Sequence, residues 1–177
     1  MADIYLNTAS IHKEIKRLQK VRDELEENLD FFMRYIAVEA EDYCRKACPE
    51  GIIDHEGKHL KDTIRADYNP ATKLIRITAG SYWALYVEYG TGIVGAGSPH
   101  PAPEVDWTYG TREGGWWYRV TEEVYAQMKE LGMTVGENKT EGLFYAHTKG
   151  MPSRPFMYET KVFIQDLIRK EAKEFFT

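Results

Sequence analysis

Apolar residues recur at positions 11, 15, 18, 21, 25, 29, 32, 36, 40, 43 and 47. Their steps of three and four average about 3.6, the period of a straight α-helix with one apolar stripe. Thr8 or Ser10 is placed to cap this helix, and Pro49 and Gly51 stop it. At 1.5 Å per residue it runs to roughly 55 Å, longer than a compact domain of this size is wide. Three arrangements satisfy that length. The helix breaks near Asp30, its N-terminal half projects and packs on another chain, or it bends over its own core.

Beyond the Gly/Pro-bearing connection at 49–59, a short helical turn is expected at 60–64, and Asn69-Pro70 marks a turn. Residues 72–79 alternate, with Ile75 and Ile77 on one side and Arg76 and Thr78 on the other. Residues 82–89 set Trp83, Leu85, Val87 and Tyr89 on one apolar face. Period-two alternation predicts two strands, paired as a hairpin through Ala79-Gly80-Ser81 and ended by Gly90-Thr91-Gly92. Residues 93–114 form a Gly/Pro-rich loop, and structureless loops longer than about 15 residues are usually functional or disordered. A third strand is expected at 115–120, with Trp116, Tyr118 and Val120 on one face. Thr121 caps a short helix at 122–131 that Gly132 ends. The polar stretch at 136–140 then leads into a fourth strand at 143–148.

Next comes Gly150-Met151-Pro152-Ser153-Arg154-Pro155, in which two prolines three residues apart make a stiff elbow with Arg154 at its corner. After it, Phe156, Thr160, Phe163 and Leu167, flanked by Met157, Ile164, Ile168, Ala172 and Phe175, mark the apolar side of an amphipathic helix. Pro155 suits its first position, where a missing N–H costs nothing. The predicted class is α+β. A long N-terminal helix precedes an antiparallel sheet of about four strands, which carries a loop and helix insertion, and a C-terminal amphipathic helix packs on the sheet. One domain spans 1–177, with a helical region at 1–48, a core at 49–92 and 115–177, the loop at 93–114 and an insertion at 121–142.

Composition narrows the class. The 177 residues are 43% hydrophobic and 13% aromatic, with 12 tyrosines and 4 tryptophans, as in a globular chain with aromatic sheet or interface surfaces. The net charge of −5 argues against a general grip on phosphate backbones. Cys44 and Cys48 are the only cysteines, so a disulfide framework is excluded and reduced thiols are expected. No signal peptide and no membrane-spanning apolar run is visible, which predicts a soluble protein made in a cytoplasm.

His55-Glu56-Gly57-Lys58-His59 fits the H-E-x-x-H pattern of zinc peptidases, in which two histidines one helical turn apart bind zinc and the glutamate activates its water. The pattern needs a stable helix, and Pro49, Gly51 and Gly57 oppose one here. A polar loop entering a short helix is the better reading, so no metal, cofactor or catalytic residue is assigned. Ser98, His100, Glu104 and Asp106 share the long loop, but no nucleophile elbow accompanies them, and loop polarity explains them. Gly95-Ala96-Gly97 is too short to cradle a phosphate. His12 and His147 read as structural. Glu88, inside an otherwise aromatic run, is either a bidentate partner for Arg154 or a solvent-facing glutamate on a half-exposed strand.

Three segments, residues 47–64 around Pro49, Gly57 and Leu60, Tyr86-Val87-Glu88-Tyr89-Gly90-Thr91-Gly92 and Met151-Pro152-Ser153-Arg154-Pro155-Phe156-Met157, together resemble a family of tailed-bacteriophage virion proteins, the tail-component or tail-completion family of the head–tail connector. Ala47-Cys48-Pro49 through Gly57-Lys58-His59-Leu60-Lys61-Asp62-Thr63-Ile64 is similar to its "A-P-x…G-x-L-x-x-S-I" pattern. Tyr86-Val87-Glu88-Tyr89-Gly90-Thr91-Gly92 is similar to its "V-E-[FY]-G-T" segment, and Met151-Pro152-Ser153-Arg154-Pro155-Phe156-Met157 to its "M-P-[AS]-R-P-F" elbow. The likeness spans roughly residues 30 to 175. Residues 50–59 are longer than the family's proline-to-glycine spacing, residues 93–142 form a large insertion, and Thr63 stands where serine is frequent. Gly57 falls on the family's turn glycine, which makes the H-E-x-x-H match accidental.

The resemblance implies a non-enzymatic assembly protein of a phage or prophage, acting at the neck of the virion as a ring. Its expected partners are further copies of itself and neighbouring neck, connector and tail proteins, with DNA only passing through the channel and no membrane. The residues expected at interfaces are Glu88, Tyr89, Gly90, Thr91, Gly92, Pro152, Arg154, Pro155 and Phe156. The rival readings are a zinc peptidase using His55, Glu56 and His59, and a nucleic-acid-binding module, which needs a basic patch.

Overall fold

The computed structural model describes residues 7–51, 58–102, 107–110 and 114–176. Its first element is a single unbroken helix, α1, over Thr8–Ala47, about 60 Å long at 1.5 Å per residue. Asn7 caps it, accepting the Ala9 N–H at 2.9 Å, one residue ahead of the expected Thr8. The helix ends at Cys48, whose extended backbone is what a following proline imposes. There is no break at Asp30. Every residue from 7 to 28 is exposed, and the buried face starts at Leu29 and Phe32, so the N-terminal half of α1 projects.

A 3-10 turn at Leu60–Thr63 leads into β1, Ile64–Asn69, which pairs antiparallel with β2, Leu74–Ala79. Asn69 Oδ1 accepts the N–H groups of Ala71 and Thr72 in the turn, and Lys73 takes a left-handed φ of 54°. The outer edge of β1 is closed by α1: Glu41 accepts the Ala66 N–H at 2.8 Å and Arg45 donates to the Ile64 carbonyl at 3.1 Å. A two-stranded ribbon thereby loses its exposed edge on that side.

The expected strand at 82–89 is instead a helix, α2, over Trp83–Tyr89. The hairpin is therefore β1 with β2, and the chain folds back after Ala79 rather than pairing onward. Aromatic and β-branched residues favour strands only where a sheet surface receives them. Here the buried set is Ala84, Val87 and Glu88, the i, i+3, i+4 set of one helical face. The Ser81 side chain accepts the Trp83 N–H at the start, and Gly90 ends the helix with φ +76°.

A short helix, α3, over Gly92–Ala96 opens the former loop. A second sheet, in the order β3-β5-β4, is built from β3 (Trp116–Val120), β5 (Leu143–Thr148) and β4 (Val135–Asn138). The strand β4 occupies part of the expected polar linker and is too short to show a period. Between β3 and β4, α4 (Glu122–Glu130) is capped by Thr121, and Tyr125 packs on Phe144 with ring centroids 4.8 Å apart. The fold is α+β, with two antiparallel sheets in place of one.

After the two-residue β6 (Gly150–Met151), α5 covers Phe156–Phe175 and runs antiparallel along α1 rather than lying on a sheet. Tyr43 stacks on Phe163 at 4.1 Å, Phe32 meets Phe175 at 4.9 Å, and the sulfurs of Cys44 and Met157 lie 3.5 Å apart. Two long amphipathic stripes satisfy each other more completely than a small, twisted ribbon would. The core cluster is Cys44, Cys48, Leu60, Ile64, Ala84, Val87 and Phe156.

Candidate functional site

The helix α5 begins without a cap of its own, because Pro155 at the capping position has neither a side-chain acceptor nor an N–H. Glu88, in the last turn of α2, supplies the cap from a distance. Its Oε2 accepts the Met157 N–H and its Oε1 the Tyr158 N–H, each at 2.9 Å. These are orphan donors of the first turn, and the helix dipole there favours a carboxylate. Glu88 is 5% exposed, so its charge is held by these donors rather than by water.

His100 completes the arrangement. Its Nδ1 accepts the Ala102 N–H at 3.1 Å, which leaves the ring proton on Nε2, 2.9 Å from Glu88 Oε1. The His100 side chain is buried and its ring rests against Tyr89 and Tyr158. The loop after α3 is thus pinned into the elbow. A second anchor is Trp107, which stacks on Tyr89 at 4.9 Å and donates its indole N–H to the Gly90 carbonyl at 3.1 Å.

Arg154 does not pair with Glu88, whose carboxylate is already filled by three donors. What Arg154 gives to α2 is its backbone: its N–H donates to the Val87 carbonyl at 2.9 Å, while the side chain stays exposed. Ser153 Oγ donates to the Glu88 carbonyl at 2.6 Å, and the Met151 N–H donates to Thr91 Oγ1 at 3.2 Å. Thr91 and Met151 form one antiparallel bridge and Gly92 and Gly150 the next. The backbones cross so closely that a Cβ on Gly150, at φ +109°, would stand 1.9 Å from the Thr91 carbonyl oxygen. Only glycine fits there.

The residues expected at interfaces therefore divide. Glu88, Gly90, Gly92 and Phe156 are buried inside the chain as the joint between α2 and the elbow. Tyr89, Thr91, Pro152 and Pro155 are half-buried, and Arg154 is exposed. Beside the joint, Tyr86, Trp107, Tyr109 and Trp116 line an open aromatic cleft of about 330 Å³ along the Gly90–Gly92 backbone. The outer face of α2 adds apolar surface, with Tyr82 57% and Leu85 56% exposed. Contiguous apolar patches of this kind mark interaction surfaces.

Loop polarity does not explain His100, whose side chain is buried against Glu88, and Trp107 is a second anchor that the sequence did not single out. His100 sits between Pro99 and Pro101, and Trp107 is a large apolar ring in a polar loop, so each carries a faint anchoring signal. His55 and Glu56 lie outside the described residues, and His59 precedes the 3-10 turn. Among the described residues no group of three metal-ligating side chains stands together, and no helix is long and apolar enough to cross a membrane. His147 bonds the Gly114 carbonyl from β5 through its Nε2. Comparisons with protein families, with curated proteins and with solved structures found no match to this chain.

Proposed function

We propose that this chain is a structural component of a tailed-phage virion, acting at the head–tail junction by docking to further copies of itself and to neighbouring neck proteins. One observation carries the reading. The three segments that resemble the tail-completion family, far apart in sequence, contribute Cys48, Leu60, Ile64, Val87 and Phe156 to one buried cluster. Residues that resemble a family pattern because they build one joint should converge in this way, whereas chance likenesses have no reason to.

The joint is suited to assembly. Two prolines and three hydrogen bonds, from Met151, Ser153 and Arg154 to the 87–91 segment, hold the elbow, so Arg154 is presented with little backbone entropy left to lose on docking. Its guanidinium favours a carboxylate on a neighbouring subunit, bound bidentately. The aromatic cleft and the outer face of α2 offer the apolar part of the same contact. In a ring, the acidic balance of the chain would let DNA pass without being held.

Replacing Arg154 with Ala tests the elbow. The variant is expected to unfold at the same temperature as the parent and to reduce the yield of complete phage particles. Normal particle yield from the variant would remove the elbow from the assembly contact.

A further inference from the structure

The apolar stripe of α1 continues where its burial stops. Ile11, Ile15, Leu18, Val21 and Leu25 lie on the projecting half of the helix, and Leu18 is 66% exposed. Ile11, Leu18 and Leu25 are seven apart, as are Ile15, Arg22 and Leu29. These are the d and a positions of a heptad seam, with a single arginine in it.

Charge along the same segment is divided into two blocks. Residues 11–20 carry Lys13, Lys16, Arg17 and Lys20 against Glu14, four cations to one carboxylate and a net +3. Residues 21–30 carry Arg22 against Asp23, Glu24, Glu26, Glu27 and Asp30, one cation to five carboxylates and a net −4. A helix paired in parallel with its copy would set like block on like block. Turned antiparallel, each basic block runs beside an acidic one; Lys13, Lys16, Arg17 and Lys20 sit on the outer positions of this heptad, so the blocks act through their summed field rather than by contact.

We infer that the projecting half of α1 pairs with the same segment of a second copy, antiparallel, about a two-fold axis beside residue 20. In an antiparallel seam a positions meet d positions. Ile15 then lies opposite Leu25, Leu29 opposite Ile11 and Arg22 opposite Leu18, every pair centred on residue 20. The overlap of 11–29 falls almost wholly within the exposed span of α1, 7–28, so the two folded bodies sit at opposite ends of the paired segment. On the flanks His12 faces Glu26 and Glu14 faces Asn28, with no like-charged pair opposed. Arg22 lays its stem over the seam, while its head is already held by Asp23 at 2.7 Å on its own helix.

The contact covers about 28 Å of helix at 1.5 Å per residue. A lone amphipathic helix of this length is marginal in water, so pairing also sustains the projection. The inference rests on α1 and not on the virion reading. An isologous contact closes on two copies and leaves the elbow free for other neighbours.

Sedimentation of the full-length protein at about 50 µM should give a dimer. Leu18→Glu with Leu25→Glu, both at exposed positions, should raise the dissociation constant at least about 100-fold and lower helical circular dichroism, with the tryptophan spectrum unchanged. Val21→Cys, near the axis, should cross-link to its counterpart under mild oxidation, and Ile11→Cys, far from it, should not. Should the double variant misfold, a charge exchange gives the same answer. Lys13, Lys16 and Arg17 changed to Glu in one chain, and Glu24, Glu26 and Glu27 to Lys in another, should associate with each other more tightly than either does with itself. A monomer at 100 µM, cross-linking of Ile11→Cys as fast as Val21→Cys, or an assembly indifferent to the Leu changes would overturn the inference.

Discussion

Glu88 caps a helix that starts beside Met157: its Oε2 accepts the Met157 N–H at 2.9 Å across 69 residues of sequence. The same carboxylate takes the Tyr158 N–H and the Nε2–H of His100. One buried side chain thus fixes α2, the loop that follows it and the start of α5. Removing it leaves three buried donors unpaired, which costs more than the bonds themselves contribute. Glu88→Ala should lower stability by about 2–4 kcal/mol and Glu88→Gln by about 1–2 kcal/mol, read from urea midpoints. A loss below about 0.5 kcal/mol in the Ala variant would show that the cap is not supporting the joint.

The crossing of Gly150 over Thr91 makes a separate prediction. Gly150→Ala places a methyl 1.9 Å from a carbonyl oxygen at a backbone angle that alanine resists. A loss of about 3 kcal/mol is expected, part from φ strain and part from the displaced bridge. Gly110→Ala is the control, since a Cβ there meets nothing within 4 Å, and it should fall within about 0.5 kcal/mol of the parent. Equal effects at the two positions would contradict the account of the crossing.

Both cysteines are buried in the core and neither is bonded to the other. Burial raises both thiols, and Cys48 is pushed up to about 11. At pH 8 roughly one Cys48 in a thousand is then thiolate, the form that reacts. Native protein should label with a disulfide reagent only as fast as it unfolds, with both thiols released together in denaturant. Rapid labelling of the folded chain would place these residues nearer the surface.

Asp30 on α1 accepts from Lys73 Nζ at 2.6 Å and from the Tyr68 hydroxyl, and these bonds hold its carboxyl below the ordinary 3.8. A carboxyl depressed in the folded state contributes stability that is fully present above its unfolded value and is lost as pH falls through the folded one. The gap in urea midpoint between the parent and Asp30→Asn should be widest above about pH 5 and close towards pH 2. Because the pair is partly solvated, 1 M salt should also narrow the gap. A gap that does not change with pH would assign the role of Asp30 to packing.

Period carried most of what could be read ahead of the structure. Steps of 3.6 located α1 and α5, and alternation at Ile75 and Ile77 located β2. The helix at Trp83–Tyr89 was hidden because its residues are strand formers and its buried set includes a glutamate. That set has meaning only once Met157, Tyr158 and His100 surround it. Pairing of Arg154 with Glu88 was a fair expectation from charge, but backbone donors reached the carboxylate first. The joint depends on contacts between residues some 60 or more apart, such as Thr91 with Met151, and no local pattern encodes those. Gly90 and Gly92 were legible as the end of an element, and Gly150 only as the residue that opens the elbow; their shared reason, two backbones crossing, is tertiary.

We propose above that this chain sits at the head–tail junction of a virion. The proposal is tested by purifying particles of a tailed phage whose genome carries this gene and probing them with gold-labelled antibody and by quantitative mass spectrometry. Label is expected at the neck, with several copies per particle. Complete, infectious particles that lack the chain would contradict it.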